Sequence, residues 1–490
     1  MSIGRHAAHG VAWYLALGVF TRLLGLGGSL VLARWIMPAD YGPVITASIV
    51  VLTANAVTSF AFGQCLIATR APAEVAIQAA VMHVGLGVVA ATATYGLRDV
   101  VGELLGVPQM GQYVLGYALA LLIIDRLRYV PERLLVRALR FRALATINGI
   151  GEITLTATAL GTAPFWGPYA LVVGALARSL ITAVLFLSIA PHGEWLVRLR
   201  LRIADVRRLF TYGLPLMVSI VTDSVSSKWD NLVVSRLFNA GVMANYNFAY
   251  NLADMPMSHV AEHIGEVLMP SFSRMGAAQQ RVAAVRTAGL MSLIVTPVGV
   301  GLGAIAPTIV DALFTESWAA TAPMLMILSV MMVTRPMTWS ALAYAQAVQR
   351  THIVMASSIV RVIVVIPLVA VGGVQGGPNG ACVGAGLGFG LHTIITLIIA
   401  HKAAELPLGT YLRGAACPLL PGAIMFIAVV SIRRALEAAA VPLGASLVVQ
   451  ITSGAVVYVG AAFVLARASV DDLLRLCRDT FITRTGRRAR

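Results

Sequence analysis

Apolar segments long enough to cross a lipid bilayer follow one another along almost the whole of this chain. That succession limits the fold more than any other feature. A bilayer core about 30 Å thick takes roughly 20 residues of helix at 1.5 Å rise per residue. Such segments are expected near 11–33, 42–68, 75–97, 112–130, 143–164, 168–190, 209–235, 243–269, 287–313, 320–347, 353–373, 379–400, 412–432 and 443–466. Hydrocarbon offers the backbone no hydrogen-bond partner, so only helices or a closed barrel can span it. Continuous apolar runs of this length exclude the alternating pattern of barrel strands. The expected fold class is therefore an all-α polytopic membrane protein with about 14 transmembrane helices. Composition agrees: only 12% of residues are charged and the mean hydropathy is +0.84, whereas a soluble domain carries about 25% charge on its wetted surface.

The first segment follows Arg5 as the core of a secretory signal follows its basic start, but it is too long for a typical signal core, and no clear small-residue cleavage site follows it. It is expected to remain as an uncleaved span. The four cysteines (Cys65, Cys382, Cys417 and Cys477) are scattered and form no CxxC pair, which argues against a disulfide framework or a zinc site.

The net charge of +15 is unevenly distributed. Taking the connections on alternate sides, one side holds six arginines in 126–142, five in 198–208 and seven in 467–490, with Arg5, Arg70 and Arg350 among the rest. The other holds Arg34, Arg98, Arg236, Arg433 and Arg434. Cytoplasmic loops carry the excess of Lys and Arg, so both termini are expected in the cytoplasm. The basic loops then serve orientation and contact with anionic membrane lipids, and no nucleic-acid partner is expected.

Two internal matches point to duplication. Ser29–Arg34 resembles Asn231–Arg236, and Glu103–Gly106 resembles Asp311–Phe314, at nearly equal offsets. A parallel repeat of six spans follows. The expected organisation is an N-terminal lobe over 1–208, a second lobe over 209–402, and a segment 403–490 holding spans 13 and 14 and a basic tail.

Several strings resemble one known family. They are Gly10-Val-Ala-Trp, Arg22-Leu-Leu-Gly, Leu32-Ala-Arg34 and Pro38-Ala-Asp40-Tyr-Gly42 at the start, and Trp229-Asp-Asn-Leu-Val-Val-Ser-Arg236 further on. Asn245-Tyr-Asn247, Pro270-Ser-Phe-Ser-Arg274 and Ala312-Leu-Phe314 with Trp318 continue the pattern. Together they resemble the polysaccharide transporters of the multidrug/oligosaccharidyl-lipid/polysaccharide flippase superfamily, over essentially the whole chain. The resemblance implies two six-helix bundles about a central cavity, and a bacterial inner-membrane location. It also implies a substrate of the undecaprenyl-diphosphate-oligosaccharide type, with polysaccharide polymerase or export machinery as possible partners.

Ionisable residues inside spans are costly and usually face a cavity or a partner. Arg22 is central in the first span, on a face with Gly18, Gly25 and Ser29. Asp223, Ser226, Ser227 and Asp230 share one face of the seventh span, with Lys228 turned away. Asn247, Asn251 and Asp254 recur at helical spacing in the eighth, and Arg335, Thr338 and Gln346 in the tenth. Arg361 lies in the eleventh, while Glu152 and Arg178 stand alone in the fifth and sixth. One reading is a hydrophilic, partly cationic lumen, in which arginine forks take a diphosphate and amides take sugar hydroxyls. The other is a set of interhelical ion pairs and hydrogen bonds, with Arg22, Arg335 and Arg361 as partners of Asp223, Asp230 or Glu152.

Two motifs have ordinary explanations. His259-Val-Ala-Glu-His263 matches the H-x-x-E-H string of inverted zinc peptidases, but it lies near the end of a span already accounted for and reads as a polar helix end. Gly380, Gly384 and Gly388 form GxxxGxxxG without any P-loop, which reads as a packing face. No cofactor, metal or catalytic residue is expected. The reading is a flippase for lipid-linked oligosaccharide in exopolysaccharide, capsule or O-antigen assembly. Its rivals are a multidrug exporter, a peptidoglycan-precursor flippase, and a membrane polymerase or glycosyltransferase, which would normally need a large outer loop.

Overall fold

The computed structural model describes residues 17–18, 21, 24–25, 27–254, 275–350 and 352–475. Every regular element among them is helical, and nine of the helices are long and apolar enough to cross a membrane. The protein is an all-α polytopic membrane protein. Its contacts divide it into two compact units, Met1–Ala244 and Asn245–Arg490. The H-x-x-E-H string at 259–263 and Cys477 lie outside the described residues.

In the first unit the expected second span is two helices, α1 (Pro38–Thr58) and α2 (Phe62–Ala68). Between them Ala61 takes a left-handed φ of 49°, a conformation that costs an L-residue energy. Tertiary packing holds this break. A Cβ on Gly213 of α9 would overlap the Phe60 carbonyl oxygen, so glycine lets that helix approach the exposed backbone. The next elements are α3 (Ala73–Gly96), the short α4 (Arg98–Leu104) and α5 (Gly111–Tyr117). A π-helical segment, Ala118–Ile124, carries α5 straight into α6 (Asp125–Arg137). Helices α7 (Phe141–Trp166) and α8 (Tyr169–Ile189) form a hairpin. Its turn rests on Gly167 at φ 51° and ψ −127°, a region open essentially to glycine alone. Helix α9 (Ile203–Leu237) packs on α1, and the helix 240–254, α10, follows. A Cβ on Gly42 would overlap the Ala240 carbonyl oxygen. The two segments that resemble each other in sequence, ending at Arg34 and Arg236, thus lead into helices whose N-terminal ends touch.

The second unit is built round α11 (Ala277–Leu313), which packs on α12 (Thr321–Met331), α13 (Arg335–Ala347), α15 (Leu408–Ala416), α16 (Leu419–Ala438) and α17 (Leu443–Leu465). Polar bonds cross these apolar contacts. Ser292 donates to the Ala415 carbonyl at 2.6 Å and Tyr458 to the Leu293 carbonyl at 2.8 Å.

Helix α14 (His352–Ala404) is two helices joined at Gly376 and Gly377, the latter at φ 66°. Pro378 follows. The Gly-rich junction between the expected spans 353–373 and 379–400 is therefore a sharp turn. A Cβ on Gly380 or Gly384 would overlap the carbonyl oxygens of Gly372 and Leu368, and one on Gly388 would lie 2.9 Å from the Val365 Cα. The GxxxGxxxG string is the face on which the two arms pack, backbone against backbone.

Candidate functional site

Polar side chains inside each unit form small sets with defined partners. In the first, Glu152 of α7 and Arg178 of α8 form an ion pair at 3.2 Å, with the arginine side chain 41% exposed and the glutamate 24%. The two residues that stand alone in the sequence are partners across the hairpin. Small residues make room for them: a Cβ on Gly151 would lie 3.4 Å from the Arg178 Cγ, and one on Gly25 of the first span 3.1 Å from a Glu152 carboxylate oxygen. Arg22 lies outside the described residues.

On α9, Asp223 is exposed and Asp230 is buried. The Asp223 backbone carbonyl accepts the Ser226 and Ser227 hydroxyls at 2.9 and 2.8 Å. One Asp230 carboxylate oxygen accepts both the backbone N–H and the side-chain amide of Asn231, each at 2.9 Å. The stripe thus grades from an exposed to a buried carboxylate, and Lys228 beside it is half-buried.

Sequence reasoning placed Arg126 with the loop charges; the structure corrects this. Arg126 is 1% exposed. Its guanidinium donates to the backbone carbonyls of Asn55 (3.2 Å), Thr58 (3.1 Å) and His83 (3.1 Å), and to the side-chain oxygens of Asn55 (2.8 Å) and Thr58 (2.6 Å). Asn55 and Thr58 belong to the last turn of α1, whose carbonyls lose their helical donors where the chain breaks. Arg126 caps that broken end, and its positive charge also suits a helix C-terminus. Beside it the His83 and Tyr129 rings stack at 4.0 Å between centroids. The Tyr129 hydroxyl accepts the Gly63 N–H at 3.1 Å and donates to Gln64 at 3.1 Å.

In the second unit Arg335 and Asp254 form an ion pair. The guanidinium also lies 5.3 Å from the Trp339 ring centre and 4.9 Å from that of Phe389, within cation–π range. Asn251 donates to Asn247 at 3.0 Å one turn before Asp254. His392 shares a hydrogen bond with Ser357 at 2.9 Å, and Ser357 another with Thr396 at 2.9 Å. Arg361 and Arg335 both lie within electrostatic reach of His392, and Thr338 bonds Thr393 at 2.9 Å. The structure thus gathers Asn247, Asn251, Asp254, Arg335 and Arg361 into one polar region with His392. Sequence reasoning had not singled out His392 or Trp339. The partners also differ from the expected ones, since Arg335 meets Asp254, and Glu152 meets Arg178.

Such sets join cations, carboxylates and amides inside apolar helices, which suits recognition of an anionic, polyhydroxylated group. Residues 31–323 match the family described as polysaccharide biosynthesis protein. The chain is 26% identical to lipopolysaccharide biosynthesis protein WzxC of Escherichia coli (strain K12) over 414 residues, 82% of this chain and 81% of that protein. It is 21% identical to teichuronic acid biosynthesis protein TuaB of Bacillus subtilis (strain 168) over 132 residues, 26% of this chain and 27% of that one. Its fold is similar to that of the lipid II flippase MurJ in an inward closed conformation, with a TM-score of 0.77 at 14% identity over 93% of this chain and 99% of MurJ. An inward-facing multidrug resistance transporter of the MATE family in the MOP superfamily follows at a TM-score of 0.61 and 14% identity, over 80% of this chain and 96% of that one. At that identity the structural likeness is one of fold. By a sequence match that spans more than half its length, the chain belongs to the polysaccharide biosynthesis protein family.

Proposed function

We propose that the protein is a flippase that carries undecaprenyl-diphosphate-linked oligosaccharide across the bacterial inner membrane, supplying exopolysaccharide, capsule or O-antigen assembly. The single observation that carries this reading is the family match over 31–323 in a chain of apolar helices; the likeness to WzxC favours lipid-linked sugar over drugs as cargo. The protein acts as a transporter and not as an enzyme. Both termini lie in the cytoplasm, and the lobes 1–208 and 209–402 move against each other, with 403–490 appended.

Within this reading Arg22, Arg335 and Arg361 offer positive charge to the diphosphate. Arg335 is held by a carboxylate, Asp254, and an incoming phosphate competes for the same fork. Glu152, Arg178, Asp223, Asp230, Asn247 and Asn251 supply the polar surface for sugar hydroxyls or for a coupling ion. Gene deletion tests the reading in cells. It should abolish a surface or secreted polysaccharide, leave drug sensitivity near normal, and cause lipid-linked repeat units to accumulate. Unchanged polysaccharide with hypersensitivity to cationic dyes would select the multidrug exporter instead.

A further inference from the structure

The first unit carries a second polar site, away from the sets above. A cavity of 390 Å³ opens between the end of α3 and the start of α5, lined by Tyr95, Arg98, Asp99, Gln109, Gln112 and Leu115 among others. Its volume falls within the range of small-molecule sites, about 300–1,000 Å³. It lies at the opposite end of the unit from the basic connections, because α3 runs from Ala73 to Gly96 and the α5–α6 run from Gly111 to Arg137. At that other end Arg137 donates to the Ala71 carbonyl at 3.0 Å.

Its groups contact one another. The Arg98 guanidinium lies 4.1 Å from the Tyr95 ring centre and donates to the Tyr95 carbonyl at 3.2 Å. Asp99 stands 3.5 Å from the same guanidinium. Gly111 leaves space for it, since a Cβ there would lie 3.3 Å from the Asp99 carboxylate. Tyr169 donates to the Gln112 carbonyl oxygen at 3.1 Å, which leaves the Gln112 NH₂ group available as donor. Gln109 and Gln112 are both exposed to the groove. Beside it Leu97, Val100 and Leu104 present apolar side chains outward at helical spacing, as a segment lying at a membrane interface does.

From this lining we infer a saccharide-binding subsite at the rim of the first unit. One guanidinium against one carboxylate leaves the lining without net charge, which disfavours a phosphate or an ammonium headgroup. Two amides, a carboxylate and an arginine fork supply donors and acceptors at close spacing, which matches the adjacent hydroxyls of a pyranose, each both donor and acceptor. The place of the subsite in transport rests on the flippase reading: it would receive the sugar end of the headgroup at the far face. Its binding chemistry does not rest on that reading.

The test uses the full-length protein in lipid nanodiscs, with methyl β-D-glucopyranoside and methyl β-D-galactopyranoside as probes and saturation-transfer NMR as the readout. The wild-type protein should transfer saturation to the ring protons of at least one glycoside. Gln109→Leu and Gln112→Leu change exposed side chains, so the protein should stay folded while transfer falls about fivefold, as the loss of one neutral hydrogen bond predicts. Absence of transfer to both glycosides, undiminished transfer in both variants, or displacement by phosphocholine would overturn the subsite. The loss of transfer in the two glutamine variants reads this subsite, whereas the deletion phenotype decides the flippase reading separately.

Discussion

The Arg126 guanidinium serves three backbone carbonyls and two side-chain oxygens at 1% exposure. Without it those acceptors stay buried, and each unmet one costs about 1–3 kcal/mol. Arg126→Ala should therefore sharply reduce the amount of folded protein extracted from membranes, with Arg126→Lys in between because an ammonium cannot span the same fork. Fluorescence-detected size-exclusion chromatography of detergent extracts checks this; wild-type yield for Arg126→Ala would refute the capping role. Arg335 differs, since it sits between a carboxylate and two rings in the polar region of the second unit. Arg335→Lys should impair polysaccharide export in part and Arg335→Ala more severely, with expression measured on the same samples. Lost expression would assign Arg335 to structure, and full export by the alanine variant would end its role with substrate. The sequence shows Arg335 readily, as a charge deep in an apolar run. It hides Arg126, because nothing at Ser59, Phe60 or Ala61 is a proline or glycine that announces the break it caps. The pairing of Glu152 with Arg178 left a readable trace: two lone opposite charges at similar depth in spans joined by a tight glycine turn.

Segment length is the best-preserved signal at the scale of elements, because a helix must cover the hydrocarbon whatever it packs against. What packing decides is less visible. The interruption between α1 and α2 depends on neighbours far away in the chain, Gly213 and Arg126. The glycine face of α14 was readable, since its spacing itself dictates a close approach. It yields a paired prediction. Gly384→Val would drive a side chain into the Leu368 carbonyl, whereas Gly390 has nothing within 4 Å of a Cβ. Overpacking a rigid contact costs about 1–3 kcal/mol and more where backbone must move. The Gly384→Val variant should lose folded yield and melt at lower temperature, and Gly390→Ala should match the wild type. Equal melting temperatures for the two variants would contradict the packing read from the helical arms.

For the molecule as a whole, charge asymmetry is the basis of the proposed orientation. Arg200 is exposed in the connection before α9. Arg200→Cys should resist an impermeant maleimide in intact cells and react once they are permeabilised; labelling from outside would invert the proposed topology. The central proposal is that the protein moves a lipid whose headgroup is anionic and sugar-bearing. Reconstitution tests that claim most directly. Lipid-linked oligosaccharide extracted from the deletion strain would be placed in liposomes with and without the purified protein, then exposed to impermeant periodate. The account predicts that only the outer-leaflet share is oxidised in protein-free liposomes and nearly all of it where the protein is present. Equal, partial oxidation in both would contradict it.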